Sequence, residues 1–191
     1  DVDRIVEVVR RGYVQRAQGF LPPGMPGYSP DSPGIRYDPV EAQRLLADSS
    51  YGGPDGLPPI VYTASGQGGA GPTLSAMIEM WRANLGVEVT VHQVPSDVYF
   101  YRLEDEVDNL FDYGWVADYP DPENVLDVLF HGEASNNIGA YSSPKIDALL
   151  DEARTVQDAE ERMALYRQVQ QALLEEAAAI PLWHSSNYLL V

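Results

Sequence analysis

The chain of 191 residues contains no cysteine. That excludes a disulfide framework, a Cys-based metal site and a thiol nucleophile. Cationic residues are scarce: 12 Lys and Arg stand against 29 Asp and Glu, a formal net charge of −17 with a pI near 4.3. A surface of that sign repels phosphate backbones and anionic lipid, so charge-driven binding of nucleic acid or an anionic membrane face is set aside. Long apolar runs are missing too; none approaches the ~20 residues of a membrane-spanning helix. The histidines, His92, His131 and His184, lie far apart with no i, i+4 pair, so no metal site is expected. No internal repeat or low-complexity tract stands out. There is no initiator Met and no signal peptide, and the chain opens directly in a helical pattern, so it reads as a piece of something longer.

What is present has the punctuation of an α/β fold. Ile5, Val6, Val8 and Val9 predict a helix that stops at Gly12. Gly19 to Pro33 is too rich in Gly and Pro for a regular element. Asp38-Pro39-Val40-Glu41 is a capping box with Pro in the first turn, and Ala42, Leu45 and Leu46 form the expected buried stripe behind it. Ile60 to Tyr62 reads as a strand. Leu74, Met77, Ile78, Trp81 and Leu85 mark one face of a helix that Gly86 ends. Val87, Val89 and Val91 then alternate with polar residues as a half-buried strand. Strand, helix, strand is a βαβ unit, which predicts parallel neighbours. A short helix is expected near Ser96-Asp97 and a third strand at Phe111 to Val116. The last third is helical: Ser143-Pro144 opens a helix with Ile146, Leu149, Leu150 and Ala153 inward, and Asp158 with Glu161 opens another through about Ala177. Ile180 to Trp183 and Tyr188 to Val191 read as strands.

Two loops carry candidate chemistry. Gly66-Gln67-Gly68-Gly69-Ala70-Gly71 lies between a strand and a helix, where a phosphate cradle would sit. Its spacing fits neither a dinucleotide fingerprint nor a P-loop, so it reads as a flexible turn. Gly114-Trp115-Val116-Ala117-Asp118-Tyr119-Pro120-Asp121-Pro122 runs from a strand through an acidic turn to a helix start. Asp118 and Asp121 could form an acid–base pair; the plainer reading has Asp121 capping the helix ahead of Pro122. Trp115 and Tyr119 either line a pocket around Asp118 or simply pack. Aromatic faces around one carboxylate are what a primary ammonium needs. No Ser/His/Asp triad has local support, and no cofactor is expected.

The Trp115 to Pro122 segment resembles the Trp-x-Ala-Asp-Tyr-x-x-Pro segment of the family 5 (peptide, oligopeptide and nickel type) extracellular solute-binding proteins of ABC importers. Further matches follow in chain order. Phe20-Leu21-Pro22-Pro23-Gly24 is similar to the family's Phe-x-Pro-Pro-Gly. Tyr37-Asp38-Pro39 with Ala42 and Leu45-Leu46, and Trp81 with Asn84-Leu85-Gly86-Val87, resemble its helix motifs. Asn137 to Pro144 and Ile180-Pro181-Leu182-Trp183 resemble its late turn and strand.

The resemblance implies one lobe of a type II periplasmic-binding fold, a mixed sheet flanked by helices. Residues 1–191 would form a single α/β lobe, the second of two, with the first lobe and the final chain return absent. It implies capture of peptides, with oligopeptides favoured, for delivery to an ABC permease in the membrane. The location would be extracytoplasmic, periplasmic or as a cell-surface lipoprotein. Asp118 would hold the ligand's α-amino group, with Trp115, Val116, Ala117 and Tyr119 as neighbouring ligand-binding residues. Dipeptide-selective members carry an Arg in the loop after the strand matching Ile60 to Ala64; residues 66–71 contain none, which argues against a strict dipeptide binder. The alternatives are a non-peptide solute (sugar, opine or nickel chelate), an extracytoplasmic enzyme using Asp118 and Asp121, or a structural, chaperone-like domain.

Overall fold

The computed structural model describes residues 1–105 and 108–185. The chain divides into two compact units, one of Asp1–Val14 and Tyr37–Tyr113, the other of Gln15–Arg36 and Gly114–Val191.

The first unit opens with helix α1 (Val2–Arg4), capped by the Asp1 carboxylate and continuing as a π-helical turn over Ile5–Val9. Helix α2 (Pro39–Asp48) starts where the capping box lies: Asp38 accepts from the Glu41 N–H at 3.1 Å. Strand β2 (Ile60–Ser65), helix α3 (Pro72–Leu85) and strand β3 (Val89–Val94) form the expected βαβ unit. (Strand β1, Val14–Arg16, belongs mainly to the second unit.) β2 and β3 are parallel, in register from Ile60 opposite Val89 to Ser65 opposite Val94. Gly86 ends α3 at φ 68°, a left-handed conformation that glycine adopts without strain. Helix α4 (Tyr99–Asp105) follows, and strand β4 (Leu110–Phe111) joins β2 in parallel, giving the order β3-β2-β4.

Two expectations for this unit are corrected. The third strand is two residues long and does not reach Val116. The Tyr99 hydroxyl donates to the Asp112 carbonyl at 2.7 Å, so the next acceptor after Phe111 is spent on a side chain, not a ladder. The α2 stripe is not buried: Leu45 is 55% exposed and no residue of the helix is buried. Against α3 the contacts are polar: Gln43 of α2 donates to the Asn84 carbonyl at 2.6 Å, and Tyr37, just before the α2 cap, donates to the Asn84 side chain at 3.3 Å. On α3 itself, Ile78 is buried, while Leu74, Met77 and Trp81 are half-buried. A sheet whose third strand has two residues is too narrow to cover the whole stripe.

The second unit is built on helices α5 (Glu123–Phe130), α6 (Pro144–Thr155) and α7 (Ala159–Glu175). Asp158 caps α7 by accepting from the Glu161 N–H at 2.9 Å. Ile146, Leu150 and Ala153 of α6 are fully buried against Leu126, Tyr166, Val169 and Leu173. Each large aliphatic side chain so buried contributes ~1.5–3 kcal/mol. Strands β1 (Val14–Arg16) and β5 (Trp183–Ser185) pair, and Ala17 N–H donates to the Leu182 carbonyl at 3.2 Å. The Gly/Pro-rich stretch forms no regular element, yet it is held. The Gln170 Oε1 accepts from the N–H groups of Phe20 (2.9 Å) and Leu21 (3.1 Å). Gly19 permits this approach, since a Cβ there would lie 2.5 Å from that oxygen. The buried Asp127 carboxylate is matched by a two-point contact with Arg154 at 2.7 and 2.8 Å. The strand expected over residues 188–191 lies outside the described residues.

Candidate functional site

The acidic loop of residues 114–122 opens the second unit's long C-terminal segment. Its backbone is irregular until α5, whose N-cap is Pro122, one residue later than the sequence suggested. Asp121 still serves the helix start: its Oδ1 accepts from the Glu123 N–H at 3.0 Å. The same carboxylate receives both terminal nitrogens of Arg162, at 2.7 and 2.8 Å. Arg162 donates further to the Tyr166 hydroxyl (2.9 Å) and the Ala153 carbonyl (3.2 Å), and its guanidinium lies 4.9 Å from the Tyr166 ring centre. The Arg162 hydrogen bonds hold the Asp121 carboxyl below the usual carboxylate range. Burial pushes the Tyr166 hydroxyl up to about 12.

Asp118 differs in every respect. It is exposed, and among the described residues no donor meets its carboxylate. Only its backbone is tied: the Asp118 N–H donates to the Asn124 Oδ1 at 3.1 Å. That oxygen also accepts from the Trp115 Nε1–H at 3.1 Å. Asn124, in the first turn of α5, is 3% exposed. Trp115 and Ala117 pack, partly buried, against the helical core, whereas Val116 is 88% exposed. Tyr119 is 45% exposed and donates its hydroxyl to Glu123. Backbone alternation therefore sends Trp115 and Ala117 inward and Val116 and Asp118 outward. One carboxylate of the loop is spent on internal structure and the other is presented to solvent.

Sequence reasoning missed Asn124, Arg162 and Glu123. Glu123 was legible in principle, four residues from Tyr119. Arg162 lies 41 residues from Asp121 and gave no local signal.

The other candidate loop supports no anion-binding claim. Gly66 and Gly69 spend their N–H groups on the Val94 carbonyl (2.8 Å) and the Gln93 side chain (2.9 Å). His92 bonds through Nδ1 to Asp108 at 2.8 Å, and Asp108 also accepts from Thr63 at 2.6 Å. Among the described residues no group of three or more His, Asp or Glu could hold a metal ion. Nor is any described helix long and apolar enough to cross a membrane.

With this geometry in view, the known relatives are informative. The Helicobacter pylori periplasmic binding protein DppA, solved in complex with the peptide STSA, superposes with a TM-score of 0.84 at 26% identity, covering 97% of this chain and 36% of its own. The fold is thus that of the periplasmic binding proteins. The dipeptide-binding protein of Escherichia coli is 29% identical over 97% of this chain and 36% of its own length. The heme-binding protein A of Haemophilus influenzae is also 29% identical, over 98% of this chain and 35% of its own. The family model described as bacterial extracellular solute-binding proteins, family 5 Middle, matches residues 1–137, and the chain belongs to that family. It spans about a third of the length of these relatives.

Proposed function

We propose that this chain is part of the substrate-capturing component of an ABC importer, and that it receives peptides through their α-amino group at Asp118. The observation that carries the reading is the contrast between the two aspartates. Asp121 is neutralised by Arg162, while Asp118 is exposed and meets no donor among the described residues. A carboxylate left open beside an exposed Val116 and a Tyr119 ring suits a ligand ammonium and the first residue behind it. Trp115 and Ala117 act as the packed underside that holds these groups in place.

The same contrast weighs against an enzyme. The acid–base pair of Asp118 and Asp121 needs two available carboxylates, and the loop offers one of the two. In this reading residues 1–191 belong to the second lobe. The first lobe and the closing return come from the remainder of a longer chain, working outside the cytoplasm with a membrane permease. The Gly/Gln-rich loop without Arg favours oligopeptides over dipeptides. A non-peptide solute is the second reading, favoured by the equal identity to a relative named for heme.

Ligand-dependent thermal stabilisation of the full-length protein tests the reading. A peptide at 100 times its Kd stabilises by ~2.7 kcal/mol. Stabilisation by free oligopeptides, with the peptide recovered intact, is expected. Cleavage of the peptide, or stabilisation by heme but by no peptide, would refute it.

A further inference from the structure

We propose that Asn124 is the positioning residue of the Asp118 site, acting on the ligand only through the loop it holds. The inference rests on Asp118 as the ammonium acceptor. Two residues of that site converge on one buried amide oxygen. The Asn124 Oδ1 takes the Trp115 indole N–H and the Asp118 backbone N–H, each at 3.1 Å. An amide oxygen has two lone pairs, so both are occupied here. Asn124 makes no bond to the Asp118 carboxylate. It fixes the backbone that aims the carboxylate and leaves the acceptor oxygens free.

Position explains why the amide can do this. Asn124 sits in the first turn of α5, on the helix whose start Asp121 secures and whose core face carries Leu126 and Phe130. The clamp is therefore anchored to packed structure, while the residues it holds lie on an irregular loop. A side chain of similar volume without an acceptor takes this partner away from both part-buried N–H groups. A carboxylate at the same place keeps the acceptor, and a negative charge in a helix's first turn is favoured by the helix dipole.

Two variants of the full-length protein separate the acceptor from the volume: Asn124→Leu and Asn124→Asp. The probe is tetra-alanine with a free amino terminus, its affinity measured by calorimetry. Hydrogen exchange of the Trp115 indole N–H, assigned with Trp115→Phe, is followed in parallel by NMR. Asn124→Leu is expected to bind at least ~10-fold more weakly, which is ~1.4 kcal/mol, and to exchange its indole proton at least as much faster. Asn124→Asp should stay close to the parent in both. Equal losses in the two variants, or parent-like binding by Asn124→Leu while Asp118→Asn binds poorly, would overturn the inference. If the parent itself ignores tetra-alanine, the amine reading of Asp118 has failed. Unchanged indole exchange in Asn124→Leu would then dispose of the clamp as well.

Discussion

Replacing Asp121 by Ala should destabilise the second unit, and the size of the loss can be worked out. The substitution removes two charge-assisted hydrogen bonds to Arg162 and the acceptor for the Glu123 N–H. Losing a helix-start acceptor costs ~1 kcal/mol. Breaking a fully buried ion pair from one side costs ~3–5 kcal/mol. This pair is not fully buried: the side chains of Arg162 and Asp121 are 25% and 33% exposed. Water can recover part of the loss, and Arg162 keeps Tyr166 and the Ala153 carbonyl. A net cost of ~2–3 kcal/mol follows, read as a fall of ~1 M in the urea midpoint. The pH dependence has a definite sign. Because Arg162 lowers the folded-state Asp121 pKa, its stabilisation is complete above the unfolded value of ~3.9 and is lost as pH falls through the folded value. The gap between parent and variant should be flat from about pH 5 to 7 and close below about pH 4. Asp118→Ala, measured alongside, should change stability by no more than ~0.5 kcal/mol. A loss under ~0.5 kcal/mol for Asp121→Ala, or equal losses for both aspartates, would refute the division of labour between them.

Other substitutions probe the scaffold. Leu150→Ala, at a position with no exposed surface, should cost ~2–5 kcal/mol in urea unfolding, and a loss under 1 kcal/mol would mean the α6 face is not in the core. Gln170→Leu strips the acceptor from the Phe20 and Leu21 N–H groups and should cost ~2–4 kcal/mol, with faster amide exchange at both residues; unchanged exchange would deny the contact.

Sequence legibility followed the range of each interaction. The N-caps at Asp38 and Asp158 form as read, because a cap spans three residues, while the Glu41 carboxylate turns to Arg44 and does not close the box. The βαβ unit and its parallel register follow from alternation and helical spacing within one stretch of chain. The α6 stripe is buried because its partners on α5 and α7 present equally apolar faces. Failures came where distant residues decide. β4 stops at Phe111 because Tyr99 takes the Asp112 carbonyl. The α2 stripe stays exposed because the α3 edge it meets is polar. The turn's two aspartates look alike in sequence, and only Arg162, 41 residues on, tells them apart. Asn124 looks like an ordinary first-turn residue until its side chain is seen beneath Trp115 and Asp118.

The most direct test of ligand capture at Asp118 is a four-way binding measurement with the full-length protein. Parent and Asp118→Asn are each titrated with tetra-alanine bearing a free amino terminus and with its N-acetylated form. A charge-assisted bond to a partly dry ammonium is worth ~1.5–3 kcal/mol, so Asp118→Asn should bind the free peptide at least ~10-fold more weakly than the parent. Acetylation should weaken binding to the parent and make the substitution nearly neutral, because the charge partner is already gone. If Asp118→Asn binds free and acetylated peptide as the parent does, Asp118 is only a turn residue and the amine-capturing role is contradicted.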